Sequence, residues 1–129
     1  MHKITVRDYM TPNPVVFTSD MPVLDAVHAL VTNRISGAPV IDDHGELVGV
    51  LSERDCVGLV LEAGYYGSTR GPVSRFMSTG VQTVDASLDI ISLAQQFQQQ
   101  PYRRYPVTSN NELVGIISRR DILRALLEP

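Results

Sequence analysis

Glu46–Asp55 reads ELVGVLSERD, and Glu112–Asp121 reads ELVGIISRRD. Seven of the ten positions are identical, and two of the three exchanges, Val50 for Ile116 and Leu51 for Ile117, keep the apolar character. Only Glu53 against Arg119 changes charge. A near-identical decapeptide written twice in 129 residues points to an internal duplication, which decides the fold before any other feature.

Working outward, other blocks recur in the same order. Val6-Arg7-Asp8-Tyr9-Met10-Thr11 aligns with Val73-Ser74-Arg75-Phe76-Met77-Ser78. Val16-Phe17-Thr18 aligns with Val81-Gln82-Thr83, and Ala38-Pro39-Val40 with Tyr105-Pro106-Val107. The offset drifts by a residue or two, as expected when insertions fall in surface loops. The blocks define a first repeat over 1–64, a crossover linker over 65–72 and a second repeat over 73–129.

Periodicity gives each repeat the order strand, helix, strand, strand, helix. Val23-Leu24, Ala26-Val27 and Leu30-Val31 predict a helix from Met21 to about Arg34, with Ser19 or Asp20 as its cap. GAPVI and LVGVL flank a turn at Asp43-His44-Gly45 and predict a hairpin. Ser52 then opens a helix through Cys56 and Leu59 towards Leu61. In repeat two, Leu88, Ile91, Leu93-Ala94 and Phe97 mark a helix that stops near Pro101. A turn at Asn110-Asn111 follows, and Ser118 opens the last helix through Ile122, Leu126 and Leu127.

Bulk properties narrow the function classes. The length suits one compact domain, and a hydrophobic content of 43% excludes general disorder. No apolar stretch is long enough to span a bilayer, and MHKITVRDYM lacks a secretory signal's apolar run, so a cytoplasmic protein without a membrane partner is expected. A single cysteine allows no internal disulfide. The net charge of −3 argues against nucleic acid as a partner. Charge is uneven: residues 1–64 sum to −5, whereas 65–129 sum to +2. The arginines of the second repeat are either solvated surface or an anion-handling set with guanidinium forks.

The ordered blocks VRDYMTP, APV and GVLSERD, followed by VSRFMST, YPV and GIISRRD, resemble a pair of cystathionine-beta-synthase (CBS) domains, a tandem also called a Bateman module. The resemblance runs from about Val6 to Leu126. It implies an α/β (α+β) fold of two β-α-β-β-α repeats, packed with pseudo-twofold symmetry into one globular module. It also implies two clefts between the repeats that take adenosine-containing ligands, and pairing of modules into a homodimer. Asp55 and Asp121 match the family's ribose-binding acid, and Ser52 and Ser118 its hydroxyl at the strand-to-helix junction. Thr18 and Thr83 match the polar residue ending the incoming strand. The segments Arg34-Ile35-Ser36-Gly37-Ala38-Pro39 and Tyr102-Arg103-Arg104-Tyr105-Pro106 match the lining of the base slot. Arg103, Arg104 and Arg120 are the phosphate candidates, and Tyr102 and Tyr105 either stack on a ligand, which makes the second cleft the better one for a charged nucleotide, or pack at the domain or dimer surface.

A structural alternative stands beside this reading. Ser-x-x-Asp before an apolar run is also a capping box, which initiates a helix with no ligand at all. The linker GYYGSTRGP lacks a Walker motif's lysine and spacing and reads as a flexible crossover, with Tyr65 and Tyr66 docked on the module or a partner. Three scattered histidines, His2, His28 and His44, make no metal-binding pattern, and His28 reads as packed among apolar neighbours. Cys56 sits at a helix start, where a thiol pKa can fall, but no histidine lies near it in sequence. No nucleophile elbow is visible. The expectation is therefore a non-enzymatic regulatory module with no obligatory cofactor. It would sense AMP, ADP, ATP or S-adenosylmethionine and signal to an unknown effector protein. A dimerisation or docking module that binds no ligand is the alternative.

Overall fold

A computed structural model describes residues 3–66 and 71–128, with the backbone alone for 64–66. His2, residues 67–70 of the Gly64–Pro72 linker and the Tyr65 and Tyr66 side chains lie outside the described residues. The elements run α1 (Val6–Tyr9), β1 (Thr11–Pro12), β2 (Phe17–Thr18), α2 (Val23–Asn33), β3 (Gly37–Ile41), β4 (Leu47–Ser52), α3 (Glu53–Tyr66), α4 (Val73–Phe76), β5 (Val84–Asp85), α5 (Ile90–Gln99), β6 (Arg104–Ser109), β7 (Glu112–Ser118) and α6 (Arg119–Leu127). The expected order occurs twice, as β2-α2-β3-β4-α3 and β5-α5-β6-β7-α6. Each copy is preceded by a short helix, and α3 runs past Leu61 to Tyr66.

In both copies a helix links two parallel strands and a hairpin adds an antiparallel third. β2 pairs with β3 through Phe17 and Val40, and β5 with β6 through Val84 and Val107. Each hairpin shifts register at one equivalent place, between Val40 and Ile41 and between Val107 and Thr108. The turns differ by one residue. Asn110 and Asn111 both have positive φ, 52° and 68°, the geometry of a two-residue primed turn. In the longer turn, Asp42 accepts hydrogen bonds from the amides of His44 and Glu46 while Gly45 takes a φ of 78°.

The chain forms two compact units, Val15–Val81 on the one hand and Met1–Pro14 with Gln82–Pro129 on the other. Each unit therefore joins the body of one repeat to the opening segment of the other. In the first, Val73 and Ser74 donate amide hydrogen bonds to the carbonyls of Met21 and Ser19. In the second, Val6 and Arg7 donate to Leu88 and Ala86, at the corresponding positions. The same docking replaces a helix cap. The first amide of α2, Val23 N–H, donates to Gly71 O at 2.9 Å, and α2 begins after Pro22 without a side-chain cap, so neither Ser19 nor Asp20 fulfils the expected role. α5 has both devices: Ile90 N–H donates to Ile4 O, and Asp89 accepts from Ser92 N–H. The Asp89 carboxyl lies below its ordinary pKa, held there by those bonds from Ser92.

Each unit has its own core. Phe17, Val23, Ala26, Leu30, Ala38, Val40, Leu51, Leu59 and Val73 fill one, and Val6, Val84, Ala86, Leu93, Phe97, Tyr105, Val107 and Ile117 the other. The bulk is redistributed. Phe17 and Ala38 of one unit correspond to Val84 and Tyr105 of the other, so the aromatic ring moves from the incoming strand to its parallel neighbour. Total volume is roughly kept, which cores tolerate well. His28, expected among apolar neighbours, is instead exposed on the outer side of α2.

The repeated glycine of LVG has a steric cause. The Met-Ser or Met-Thr pair of the opposite repeat's opening segment crosses directly over it, Ser78 bridging to Val50 and β1 pairing with β7. A Cβ on Gly115 would lie 2.7 Å from Met10 Sδ and 2.8 Å from Thr11 O, and one on Gly49 2.7 Å from both Met77 Sδ and Ser78 O. Gly58, inside α3, has open space around that position. Gly115→Ala should therefore lower unfolding stability in urea by about 1–3 kcal/mol through overpacking. Gly58→Ala should raise it by roughly 0.5–1 kcal/mol through helix propensity. An unchanged midpoint for Gly115→Ala would mean that the crossing segment yields freely.

Candidate functional site

The two Ser-x-x-Asp junctions are built alike. At the end of β4, the Ser52 amide and hydroxyl both donate to Asp55 Oδ2, at 2.9 and 3.0 Å, while the Asp55 amide donates back to Ser52 Oγ. At the end of β7, the Ser118 amide and hydroxyl donate to Asp121 Oδ2 at 2.8 and 3.0 Å, and the Asp121 amide donates to Ser118 Oγ. Both are capping boxes. The structural role foreseen for these residues is therefore real, and it fixes each carboxylate with one oxygen turned inward to the backbone and the other outward.

The loops expected to line a base slot lie beside these junctions. Gly37 pairs with Ser52 and Arg104 with Ser118. Ser36 O accepts from Glu53 N–H at 2.8 Å, and Arg103 O accepts from Arg119 N–H at 3.1 Å. With the first and third amides of each helix already bonded, little of the N-terminal donor set is left for an anion. β2 meets β3 only at Val40 and Ile41, so Ala38 and Pro39 border no strand on that side, which is where a proline lacking an N–H fits. The same holds for Tyr105 and Pro106, since β5 meets β6 only at Val107 and Thr108.

Individual candidates fare differently. Thr18 ends β2 and is exposed, as expected. Thr83 does not end its strand: it precedes β5, and Asp85 is the residue matched to Thr18 by the register of the parallel pairs. The sequence alignment of Val16-Phe17-Thr18 with Val81-Gln82-Thr83 is therefore displaced by two residues, and Phe17-Thr18 matches Val84-Asp85. Asp85 turns its carboxylate back on the amide and hydroxyl of Ser87, which hold it below its ordinary pKa. Tyr105 is no stacking platform. It is 1% exposed, with its ring 4.9 Å from that of Phe97 and 5.6 Å from that of Tyr102. Burial pushes its phenol up, and its hydroxyl has no hydrogen-bond partner among the described residues. Tyr102 is the exposed ring of the pair.

Arg103, Arg104 and Arg120 are exposed and form no ion pair among the described residues. Arg119 is engaged: its Nη2 donates to Phe97 O and Gln100 O at the end of α5, where a cation complements the helix dipole. In the other unit Arg34 is exposed and ends α2 in a left-handed conformation, φ 53°, Ile35 packs on the core, and Ser36 is exposed. Cys56 is half-buried and its thiol is pushed up by burial and by Asp55 and Glu53. That is opposite to the shift a reactive thiolate needs.

Two residues that sequence reasoning passed over complete the junctions. Ser78 Oγ donates to the outward oxygen of Asp55 at 3.0 Å. Arg124 Nη2 donates to the outward oxygen of Asp121 at 2.8 Å. The hydroxyl shared by Thr11 and Ser78 in the repeated opening block was a signal for the first. Nothing in the repeat marked the second.

The twofold pattern has a counterpart among known proteins: the CBS domain family matches residues 6–62 and again 73–128. The chain belongs to the CBS domain family. Among solved structures, Arabidopsis thaliana CBSX2, determined in complex with AMP, superposes with a TM-score of 0.82 at 32% identity over 96% of both chains. The CBS domain-containing protein YhcV of Bacillus subtilis is 28% identical over 92% of this chain and 82% of its own length. Longer relatives also carry the module. The A-adding tRNA nucleotidyltransferase of Aquifex aeolicus is 29% identical over 98% of this chain, which spans 15% of that enzyme. Ser118→Ala should lower stability by about 0.5–2 kcal/mol in a denaturant titration through loss of the cap. An unaltered midpoint would leave Ser118 without a structural role.

Proposed function

We propose that this chain is a regulatory module that binds an adenosyl ligand, AMP, ADP, ATP or S-adenosylmethionine, and passes its occupancy to a partner protein. The observation that carries the reading is the pair of rigidly capped carboxylates, Asp55 and Asp121. Each sits beside a loop and an open strand edge, in a chain closely similar to one solved with AMP. A carboxylate accepts hydrogen bonds from ribose hydroxyls. The slot over Ala38-Pro39 or Pro106 takes the base, with Tyr102 at its rim, while Arg103, Arg104 and Arg120 meet phosphate. Ser52 and Ser118 hold the acids, with Thr18 and the Arg34–Gly37 loop on the first repeat's side. The role is non-catalytic, and signalling requires that the ligand favour one of two states. Among the described residues no helix is long and apolar enough to cross a membrane.

The module acts as a homodimer in this reading, for a reason visible in both units. Leu24, Val57, Val60 and Leu61 are exposed on α2 and α3, and the corresponding residues Ile91, Leu123, Leu126 and Leu127 are exposed on α5 and α6. The same apolar positions facing outward twice mark a contact surface rather than scattered leucines. In the second unit Ile91, Leu123 and Leu126 border a groove of about 860 Å³ that includes Ile90, Ala94, Phe97 and Ile122. This surface also favours the second reading, a docking module without a ligand.

Isothermal titration with the four ligands separates the readings. Saturable binding of at least one, lost on combined Asp55→Asn and Asp121→Asn substitution, supports the sensor. A folded protein that binds none supports docking alone. Leu126→Asp should shift the species seen in sedimentation velocity from dimer to monomer without loss of helix signal, and a wild type that sediments as a monomer would refute the homodimer.

A further inference from the structure

The two acids are not equally available, and the difference lies outside the repeated decapeptide. Asp121 is the more enclosed, its side chain 13% exposed. Its inner oxygen is held by Ser118, and its outer oxygen faces a full positive charge, the Arg124 guanidinium at 2.8 Å. The same Arg124 Nη2 donates to Tyr9 O at 3.1 Å, and the guanidinium carbon lies 6.0 Å from the centre of the Tyr9 ring. Arg124, its side chain 49% exposed, thus contacts the Asp121 carboxylate, the Tyr9 carbonyl and the Tyr9 ring together. One turn into α3, the corresponding residue is Gly58, and the space where its side chain would begin is empty. Among the described residues the outer oxygen of Asp55 meets only the hydroxyl of Ser78, a neutral donor that can rotate away.

We propose that Arg124 is a built-in occupant of the second repeat's carboxylate, so that the chain offers a sugar one open acceptor, Asp55, and one guarded acceptor, Asp121. This rests on the adenosyl-binding reading and decides which junction serves it. A ribose hydroxyl approaching Asp121 competes with a bond in which both partners are charged, whereas the bond it would make has only the carboxylate charged. At Asp55 it exchanges one hydroxyl donor for another, with little net change. The arginine-rich loop at 103–104 makes repeat two look the stronger site, whereas Arg124 reverses that order at the sugar. The guard also ties α6 to the end of α1, so its release would free the Tyr9 carbonyl.

The test is titration calorimetry with AMP on the full chain, with circular dichroism confirming the fold of every variant. Expected are about one site per chain in the wild type, none in Asp55→Asn, and about two in Arg124→Gln, which keeps the stem and helix propensity but removes the charge. Adding Asp121→Asn to Arg124→Gln should return the count to about one. Two equivalent sites in the wild type, survival of binding in Asp55→Asn, or an unchanged count in Arg124→Gln would each overturn the proposal while leaving the sensor reading intact. Absence of binding to AMP, ADP, ATP and S-adenosylmethionine in both wild type and Arg124→Gln would remove the sensor reading and the proposal with it.

Discussion

The structure depends on a close crossing. In each unit the Met-Ser or Met-Thr pair that opens one repeat passes over the glycine in the last strand of the other, at a distance that admits no side chain. Buried apolar contact and backbone hydrogen bonding are satisfied together at that place. Val6 and Val73 are fully buried, and their amides and those of the following residues complete the turns after β5 and β2. Neither repeat could close its core from its own residues. Val73 belongs to the core built around repeat one, and Val6 to the core built around repeat two. Duplication here produces mutual completion rather than two independent folding units.

The same economy appears at the helix starts. α2 starts without a capping side chain, and its first amide donates to a carbonyl of the crossover linker, Gly71 O. α3 and α6 use Ser and Asp, and doing so presents a carboxylate at a fixed position with one oxygen outward. Capping and ligand acceptance are therefore compatible demands on one residue pair. The backbone amide and the serine hydroxyl take the inner oxygen, which orients the outer one without consuming it. The outer oxygen then meets the Ser78 hydroxyl at Asp55 and, from one turn into α6, the Arg124 guanidinium at Asp121.

Symmetry of fold has thus been kept while symmetry of chemistry has not. Core volume moved from Phe17 to Tyr105 across paired strands, and the Glu53-to-Arg119 exchange became a tie from α6 to the end of α5. The net charge of the two halves diverged in the same direction. The exposed apolar positions on the four long helices did not diverge, as expected of a surface under a constraint common to both halves.

The sequence by itself determined the duplication, the β-α-β-β-α order within each repeat, both hairpin turns and the two Ser-x-x-Asp junctions. Each is encoded by residues adjacent in the chain: alternating or helical apolar spacing, Gly or Asn where φ must be positive, a hydroxyl three residues before an acid. It misplaced Thr83, because Val-x-Thr occurs near the true strand and a three-residue match carries too little information to set register. It misread Tyr105 as a stacking ring, because a tyrosine beside arginines looks the same in sequence whether its ring faces a ligand or fills the space left by a smaller residue on the next strand. Only the tertiary structure decided that each opening segment completes the other repeat's unit, why the LVG glycine is required, and that Arg124 rather than solvent meets Asp121. Those outcomes depend on distances between residues far apart in the chain, or on which way one helix face turns, and local pattern does not specify either.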